Sequence, residues 1–298
     1  MLMIHDLFPI TNPEWTHPRY GKAFCDQLER LFCTVDFWLT NSHYVRHQLT
    51  AELLRRGIDA PGISVLPMGG PAPESHLTEA DLNIAHLKAH GLVGGQYFLC
   101  VGTVEPRKNF DNLIDAVVQL GDKISSRRMT CVIVGRPGWR SKSLVVRLRT
   151  LAQKGGSIRW VESADDTELR ALYRGAKFSV VPSHNEGWGL VVQESIRHGV
   201  PCIAVAAGGL REAGRDLATF VRSASVADLR DAISRFVTDS AAVLRARRKI
   251  RHRLVSGPPL PSWRDAAAFL LERARYLESA GTGRYPASSP RRAGSLAE

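Results

Sequence analysis

The sequence predicts an α/β protein. One complete, Rossmann-like, doubly wound domain with a parallel sheet is joined to the C-terminal part of a second Rossmann-like domain. Three observations carry this. From about His76, short apolar runs alternate strictly with helical patterns. The runs are near-continuously apolar, as parallel strands covered on both faces are. Several end in glycine-bearing loops that feed a helix, which offers unpaired N–H groups and a positive dipole end to an anion.

In chain order, Met1–Ile4 is strand-like, and His5–Pro18, rich in Pro, His and Asn, reads as a loop. Arg19–Cys33 places Phe24, Leu28, Leu31 and Phe32 near helical spacing. Phe37–Thr40 is a short strand, after which Asn41 or Ser42 can cap a helix to about Arg56, ended by Gly57. Ile63–Leu66 is another strand, and Pro67–Pro73 is a linker by composition. Residues 1–72 thus hold only part of a domain, short of the ~100–150 residues usual for one.

The second domain, 73–257, offers strands at Tyr97–Val101, Met129–Val134, Ser157–Val161, Phe178–Val181, Cys202–Val205 and Thr219–Val221. Between them fall helices Asn109–Leu120, Ser141–Lys154, Asp165–Arg174, Leu190–His198 and Leu210–Ala213. Ala227–Phe236 and Ala241–Leu254 continue as helices. Pro258–Pro261 breaks the chain, and residues 258–278 carry the amphipathic helix Trp263–Leu277. Residues 279–298, rich in Gly, Pro, Ser and Arg, are expected to be disordered.

Of 298 residues, 44% are apolar and 23% charged, enough for a proper core in an ordinary soluble composition. No apolar run has the length of a membrane span, and no charged-then-apolar leader is expected. The five cysteines are scattered, without a C-x-x-C pair, and fit buried reduced thiols in a cytoplasmic protein better than disulfides or zinc. The net charge is +11, and residues 241–298, with 12 Lys/Arg against 4 Asp/Glu, carry +8 of it. The densest part is Arg245–Arg253. It reads either as the solvated face of a helix or as a peripheral contact with an anionic membrane surface. Nucleic acid is not expected, because no aromatics interleave the basic run.

Five clusters bear chemistry. In Val101–Asn109, Gly102 permits a tight turn, Arg107 and Lys108 are adjacent cations at a strand end, and Asn109 can cap the next helix. This pair is either solvated or suited to a diphosphate, Arg as a fork and Lys as a point charge. Val134–Trp139 reads as a strand-to-helix turn, with Arg136 a candidate for reaching a ligand. In Ser183–Gly199, Glu186 and Glu194 flank a helix start at Leu190 and Val191, with Ser183, Gly187 and Gly189 in the loop. Each Glu alone could be a surface charge. Together they form a pocket for a phosphate and several hydroxyls, since carboxylates accept from vicinal hydroxyls of sugars. In Ala206–Glu212, Gly208 and Gly209 would turn backbone N–H groups to an anion, and Glu212 reads as a first-turn acidic residue. His5, after the first strand, would lie at a sheet edge.

Glu105–Asn109 (EPRKN), Glu186–Glu194 (EGWGLVVQE), Ala206–Glu212 (AAGGLRE) and His5–Trp15 (HDLFPITNPEW) together resemble the retaining glycosyltransferases of family 4, of the GT-B fold. The resemblance runs from His5 to about Leu277. It implies a nucleotide-sugar donor on the C-terminal Rossmann domain, with Arg107 and Lys108 on the diphosphate, assisted by the Leu190 and Val191 amides. It further implies Glu194 on the ribose, Glu186 on the transferred sugar, and His5 at that sugar from the other domain. Trp263–Leu277 resembles the helix that crosses back to the N-terminal domain. Many members carry Arg directly after the glycine of the first strand. Here Thr103 stands there, which shifts the cationic work to Arg107.

The resemblance implies metal-independent transfer with retention, without a cofactor, and EPRKN resembles mannosyltransferases of surface-polysaccharide assembly. GDP-mannose is the expected donor, a UDP-sugar the alternative, and a glycan or lipid-linked molecule the acceptor. The family's N-terminal domain begins well before His5, so the chain is expected to be a truncated form. A second reading is a catalytically incomplete nucleotide-sugar-binding subunit or gene remnant that needs a partner for the missing half. A Rossmann oxidoreductase is disfavoured, because no strand is followed by G-x-G-x-x-G.

Overall fold

All strands are parallel in the computed structural model of the chain, which describes residues 1–59, 62–70 and 84–279. The chain divides into two units, one of Met1–Pro71 with the segment from Pro261 onward, the other of Ala72–Leu260.

The first unit holds β1 (Leu2–Ile4), α1 (Phe8–Thr11), α2 (Pro18–Phe32), β2 (Phe37–Thr40), α3 (His43–Arg55) and β3 (Gly62–Val65). Its sheet has the order β1-β2-β3, with Leu2 opposite Trp38 and Phe37 opposite Gly62. Leu28, Phe32, Trp38, Val45, Leu49 and Leu53 bury the helices on this sheet. Ser42 rather than Asn41 is the cap of α3: its Oγ accepts from the Val45 N–H at 3.0 Å. The stretch expected as a loop after His5 instead contains α1 and a 3₁₀ turn at Pro13–Trp15. Turns this short show no apolar periodicity, and their prolines occupy first-turn positions where no N–H is needed.

The second unit contains α4 (Ile84–Ala89), β4 (Tyr97–Val101), α5 (Phe110–Gln119), α6 (Gly121–Ser125), β5 (Thr130–Val134), α7 (Lys142–Gln153) and β6 (Ile158–Val161). It continues with α8 (Asp166–Gly175), β7 (Phe178–Val181), α9 (Leu190–Arg197), β8 (Cys202–Val205), α10 (Leu210–Gly214), β9 (Thr219–Val221), α11 (Val226–Thr238) and α12 (Ser240–Ser256). The strand order is β6-β5-β4-β7-β8-β9. The chain therefore builds outward from β4 in one direction, returns to β7, and builds outward in the other. The crevice beyond the carboxyl ends of β4 and β7 is the topological switch point, where open α/β sheets bind ligands. Phe98 and Phe178, opposite each other in register, stack at 5.0 Å and 4° beneath it.

The last helix, α13 (Trp263–Ser279), belongs to the first unit, and Gly69 lies so near its start that a Cβ there would sit 2.6 Å from the Trp263 nitrogen. The helix runs two residues past Leu277, so Ser279, expected in the tail, is helical. The rest of the expected tail (280–298) and the end of the expected linker (71–73) lie outside the described residues. Cys100, Cys131 and Cys202 are buried, but Cys33 is exposed and Cys25 half-buried, because both lie on the amphipathic α2 and its end, not in a strand. Among the described residues no helix is long and apolar enough to cross a membrane.

Candidate functional site

The switch point collects the chemistry. The loop after β4 carries Gly102, Thr103, Arg107 and Lys108, and the loop after β7 carries Ser183 and Glu186 and leads into α9. Two backbone-directed contacts stitch the loops together. The His184 N–H donates to the Arg107 carbonyl at 2.9 Å, and Arg107 Nη1 donates to the Asn185 carbonyl at 3.1 Å.

Glu186 is the centre of the cluster. Its Oε1 accepts from Lys108 Nζ at 2.5 Å, its Oε2 pairs with Arg107 Nη1, and Arg107 Nη2 also reaches Glu105 Oε1 at 2.9 Å. All four side chains are largely shielded from water, between 13% and 21% exposed, where charge pairing weakens little with salt. Burial alone would push the Glu186 carboxyl up. Lys108 and Arg107, aided by a hydrogen bond from Ser183, outweigh it and hold the carboxyl below its usual range. Lys108 reaches this position over Gly102, whose φ of 152° favours glycine and whose missing side chain leaves room: a Cβ would touch the Lys108 chain at 3.4 Å.

Asn109 does not cap α5 with its side chain. It adopts the left-handed conformation (φ 57°), and its Nδ2 donates to the Pro182 carbonyl at 3.0 Å and the Ala224 carbonyl at 2.8 Å. The buried amide thus ties the ends of β4, β7 and β9, which a capping geometry would have prevented. Gly209 also departs from expectation. Its N–H donates to the Glu186 carbonyl at 2.9 Å and is not presented to an anion. Gly208 and Gly209 serve close approach, since a Cβ would lie 2.5 Å from the Glu186 carbonyl oxygen at the first and 2.7 Å from Trp188 Cα at the second. Gly189 (φ 128°) begins α9 against α10, a Cβ there meeting Leu210 Cδ2 at 2.9 Å.

Leu190 and Val191 form the first turn of α9, so their N–H groups have no intrahelical acceptor. Glu194, one turn on, is half-buried, and its Oε2 accepts from the Tyr173 hydroxyl of α8 at 3.0 Å. Burial raises the Glu194 carboxyl above its usual range, and the hydrogen bond from Tyr173 only partly opposes that. Neither Glu is an ordinary surface charge.

One expected side chain stands apart from the cluster. The Arg136 side chain is exposed, and its part in the site runs through its carbonyl, which accepts from the Val104 N–H at 2.8 Å. His5 follows β1 in the first unit and is exposed. Thr103 is exposed on the β4 loop. Glu105, Asn185 and Tyr173 were not singled out from sequence. Glu105 stood inside the EPRKN motif, whereas Tyr173 is one aromatic on a helix with no local signal. Among the described residues no group of three or more His, Cys, Asp or Glu is gathered as a metal set.

Known proteins share the fold of the chain. The chain is 26% identical over 248 residues to the serotype-specific mannosyltransferase WbdA of Escherichia coli, covering 78% of this chain and 29% of that protein. It therefore spans about three tenths of that relative's length. Sucrose-phosphate synthase from Thermosynechococcus elongatus superposes with a TM-score of 0.70 at 22% identity, covering 94% of this chain and 68% of that one. Anabaena Alr3699/HepE, solved in complex with UDP-glucose, superposes with a TM-score of 0.69 at 15% identity, covering 93% and 72%. These likenesses show the fold, which is of the GT-B type. The family model of glycosyl transferases group 1 matches residues 86–254, more than half of the chain and all of the switch-point cluster, and the chain belongs to that family.

Proposed function

We propose that this chain binds a nucleotide-diphosphate sugar at the β4–β7 switch point and transfers its sugar, as a hexosyltransferase, to a hydroxyl of a glycan or lipid-linked acceptor. The observation that carries the reading is Glu186 held between Lys108 and Arg107 beside the first turn of α9. The Glu186 carboxylate pairs with both cations. A diphosphate takes its place on Lys108 and Arg107 and on the Leu190 and Val191 amides, and Glu186 turns to hydroxyls of the sugar. Glu194, with no cation paired to it among the described residues, accepts from the ribose. Thr103, Gly102, Ser183 and Gly189 shape the loops around the donor.

In the transfer, the bond from the anomeric carbon to the diphosphate oxygen breaks and a bond to the acceptor oxygen forms on the same face. The acceptor's proton passes to the departing diphosphate. Lys108, Arg107 and the α9 dipole stabilise the charge growing on that leaving group. No metal or cofactor enters the step. Mannose, with GDP as carrier, is the donor we favour, supported by the likeness to a mannosyltransferase; HepE, solved with UDP-glucose, keeps a UDP-sugar as the alternative. Surface polysaccharide is the product class that fits.

The chain works at the cytoplasmic face of a membrane, where lipid-linked acceptors lie. In α12, Arg247 bonds the Ala176 and Lys177 carbonyls, Lys249 reaches Asp216, and Arg253 turns to the Pro258 carbonyl. Leu244, Arg248, Arg251 and Val255 are exposed, and at spacings of four, three and four they share one helical face. Apolar contacts flanking two arginines suit an anionic lipid surface. Sedimentation with phosphatidylglycerol vesicles, and its loss in Arg248→Glu/Arg251→Glu, is the expected result; equal sedimentation of both proteins would contradict it.

Transfer itself is tested by incubating the chain with GDP-mannose, and separately with UDP-glucose, and a mannoside or glucoside acceptor. Release of the nucleotide with a product of retained anomeric configuration is expected. An inverted product would overturn retention, and donor binding without any transfer would identify a subunit that needs a partner.

A further inference from the structure

We propose that Tyr173 is a positioning residue for the donor's ribose, its hydroxyl fixing the Glu194 carboxylate for a pair of neighbouring hydroxyls. This rests on the reading of Glu194 as the ribose acceptor. The two glutamates of the site are held by opposite means. Glu186 is clamped by two cations, whereas Glu194 is held by a neutral donor, the Tyr173 hydroxyl at 3.0 Å. A half-buried carboxylate that, among the described residues, has no cation paired to it repels phosphate and favours uncharged hydroxyl donors. One of its roughly four acceptor positions is taken by Tyr173, which leaves the other oxygen and the remaining lone pair for a diol.

The holder is itself buried and stacked. Tyr173 is 1% exposed on α8, and its ring stacks on His198 at 5.2 Å and 18°. His198 caps the C-terminal end of the same α9 that carries Glu194, so ring and carboxylate keep one frame. A Glu side chain free to rotate about three bonds would have to be ordered anew by each ligand; a phenol anchored by packing removes that cost in advance. Burial keeps the phenol protonated and hence a donor, raising its ionisation well above the usual phenol range.

The test compares GDP and UDP with their 2′,3′-dideoxy counterparts by calorimetry, using whichever base the chain binds. The wild type is expected to prefer the ribonucleotide by about tenfold or more, the worth of a hydrogen bond to a charged group. In Tyr173→Phe, which keeps the ring and its stacking, the preference should shrink several-fold while the dideoxy affinity stays as in the wild type. A merely structural loss would weaken both ligands alike, and that result, or an unchanged preference, overturns the proposal. Glu194→Asp withdraws the carboxylate from the hydroxyl by one methylene and asks the same question should Tyr173→Phe not fold; retention of the wild-type preference there also overturns it. A wild type that shows no preference defeats the ribose reading of Glu194 itself, and a preference that vanishes in Glu194→Gln but persists in Tyr173→Phe defeats only the role of Tyr173.

Discussion

Lys108 Nζ and Glu186 Oε1 lie 2.5 Å apart, although 78 residues separate them in sequence. The contact exists because β4 and β7 are neighbours in the sheet, and it joins the two loops of the site. Replacing Lys108 by Ala should lower kcat/KM by roughly 10²–10³, the effect of removing one preorganised charge stabiliser from a transition state. The melting temperature should move little, because Arg107 still pairs with Glu186. Steady-state kinetics and a melting curve on the purified variant check both parts.

Asn109 holds two carbonyls from a left-handed backbone conformation. Asn109→Ala should destabilise the chain by about 2–4 kcal/mol, through the loss of the donor on the Pro182 carbonyl and the strain of a positive φ on alanine, while the Ala224 carbonyl keeps the Asn112 Nδ2 donor at 2.9 Å. Asn109→Gly keeps the first cost and removes the second, so it should be the milder change by about 1 kcal/mol. Urea unfolding of the two variants decides the order; Gly equal to or worse than Ala would contradict it.

Gly209→Ala should lower stability and activity together, since its Cβ would meet the Gly187 carbonyl and lie 2.7 Å from Trp188 Cα, pushing on the backbone that carries Glu186. Gly156→Ala, with open space around it, is the control and should leave both unchanged. Thermal melting and turnover of the pair provide the comparison.

The two glutamates give opposite pH signs. Glu186 is held below the ordinary carboxylate value of 4.5, so its contribution to stability is present above that pH and is lost as pH falls through the lower folded value. Glu194 is raised above 4.5, so the folded state binds more protons between 4.5 and its folded value. Its ionisation therefore costs stability as pH rises through that window. Ionised Glu194 is the form that accepts from ribose. Affinity for a nucleotide sugar should weaken as pH falls through that same window, and Glu194→Gln should flatten this acid limb while the wild type keeps it. Titrations of donor affinity at several pH values read the limb directly.

How far the sequence carried this site can be followed residue by residue. Strands Tyr97–Val101, Phe178–Val181, Cys202–Val205 and Thr219–Val221 are found where the apolar runs put them, because parallel strands buried on both faces leave an unbroken signal. Arg107, Lys108 and Glu186 were legible as residues on strand-end loops. Their meeting was not, since it depends on β7 returning to the side of β4, which no local pattern encodes. Asn109 was legible as polar and at a helix start, yet its φ and its two distant acceptors are set by tertiary packing. Helices α1, α4 and α6, of four to six residues, are too short to show a period.

The account stands most directly on donor binding at the switch point. Calorimetric titration of GDP and of UDP into the wild type should give saturable binding of one of them, weakened at least tenfold in Lys108→Ala and unchanged in Gly156→Ala. Absence of binding by both nucleotides, or equal affinity in the wild type and Lys108→Ala, would contradict it.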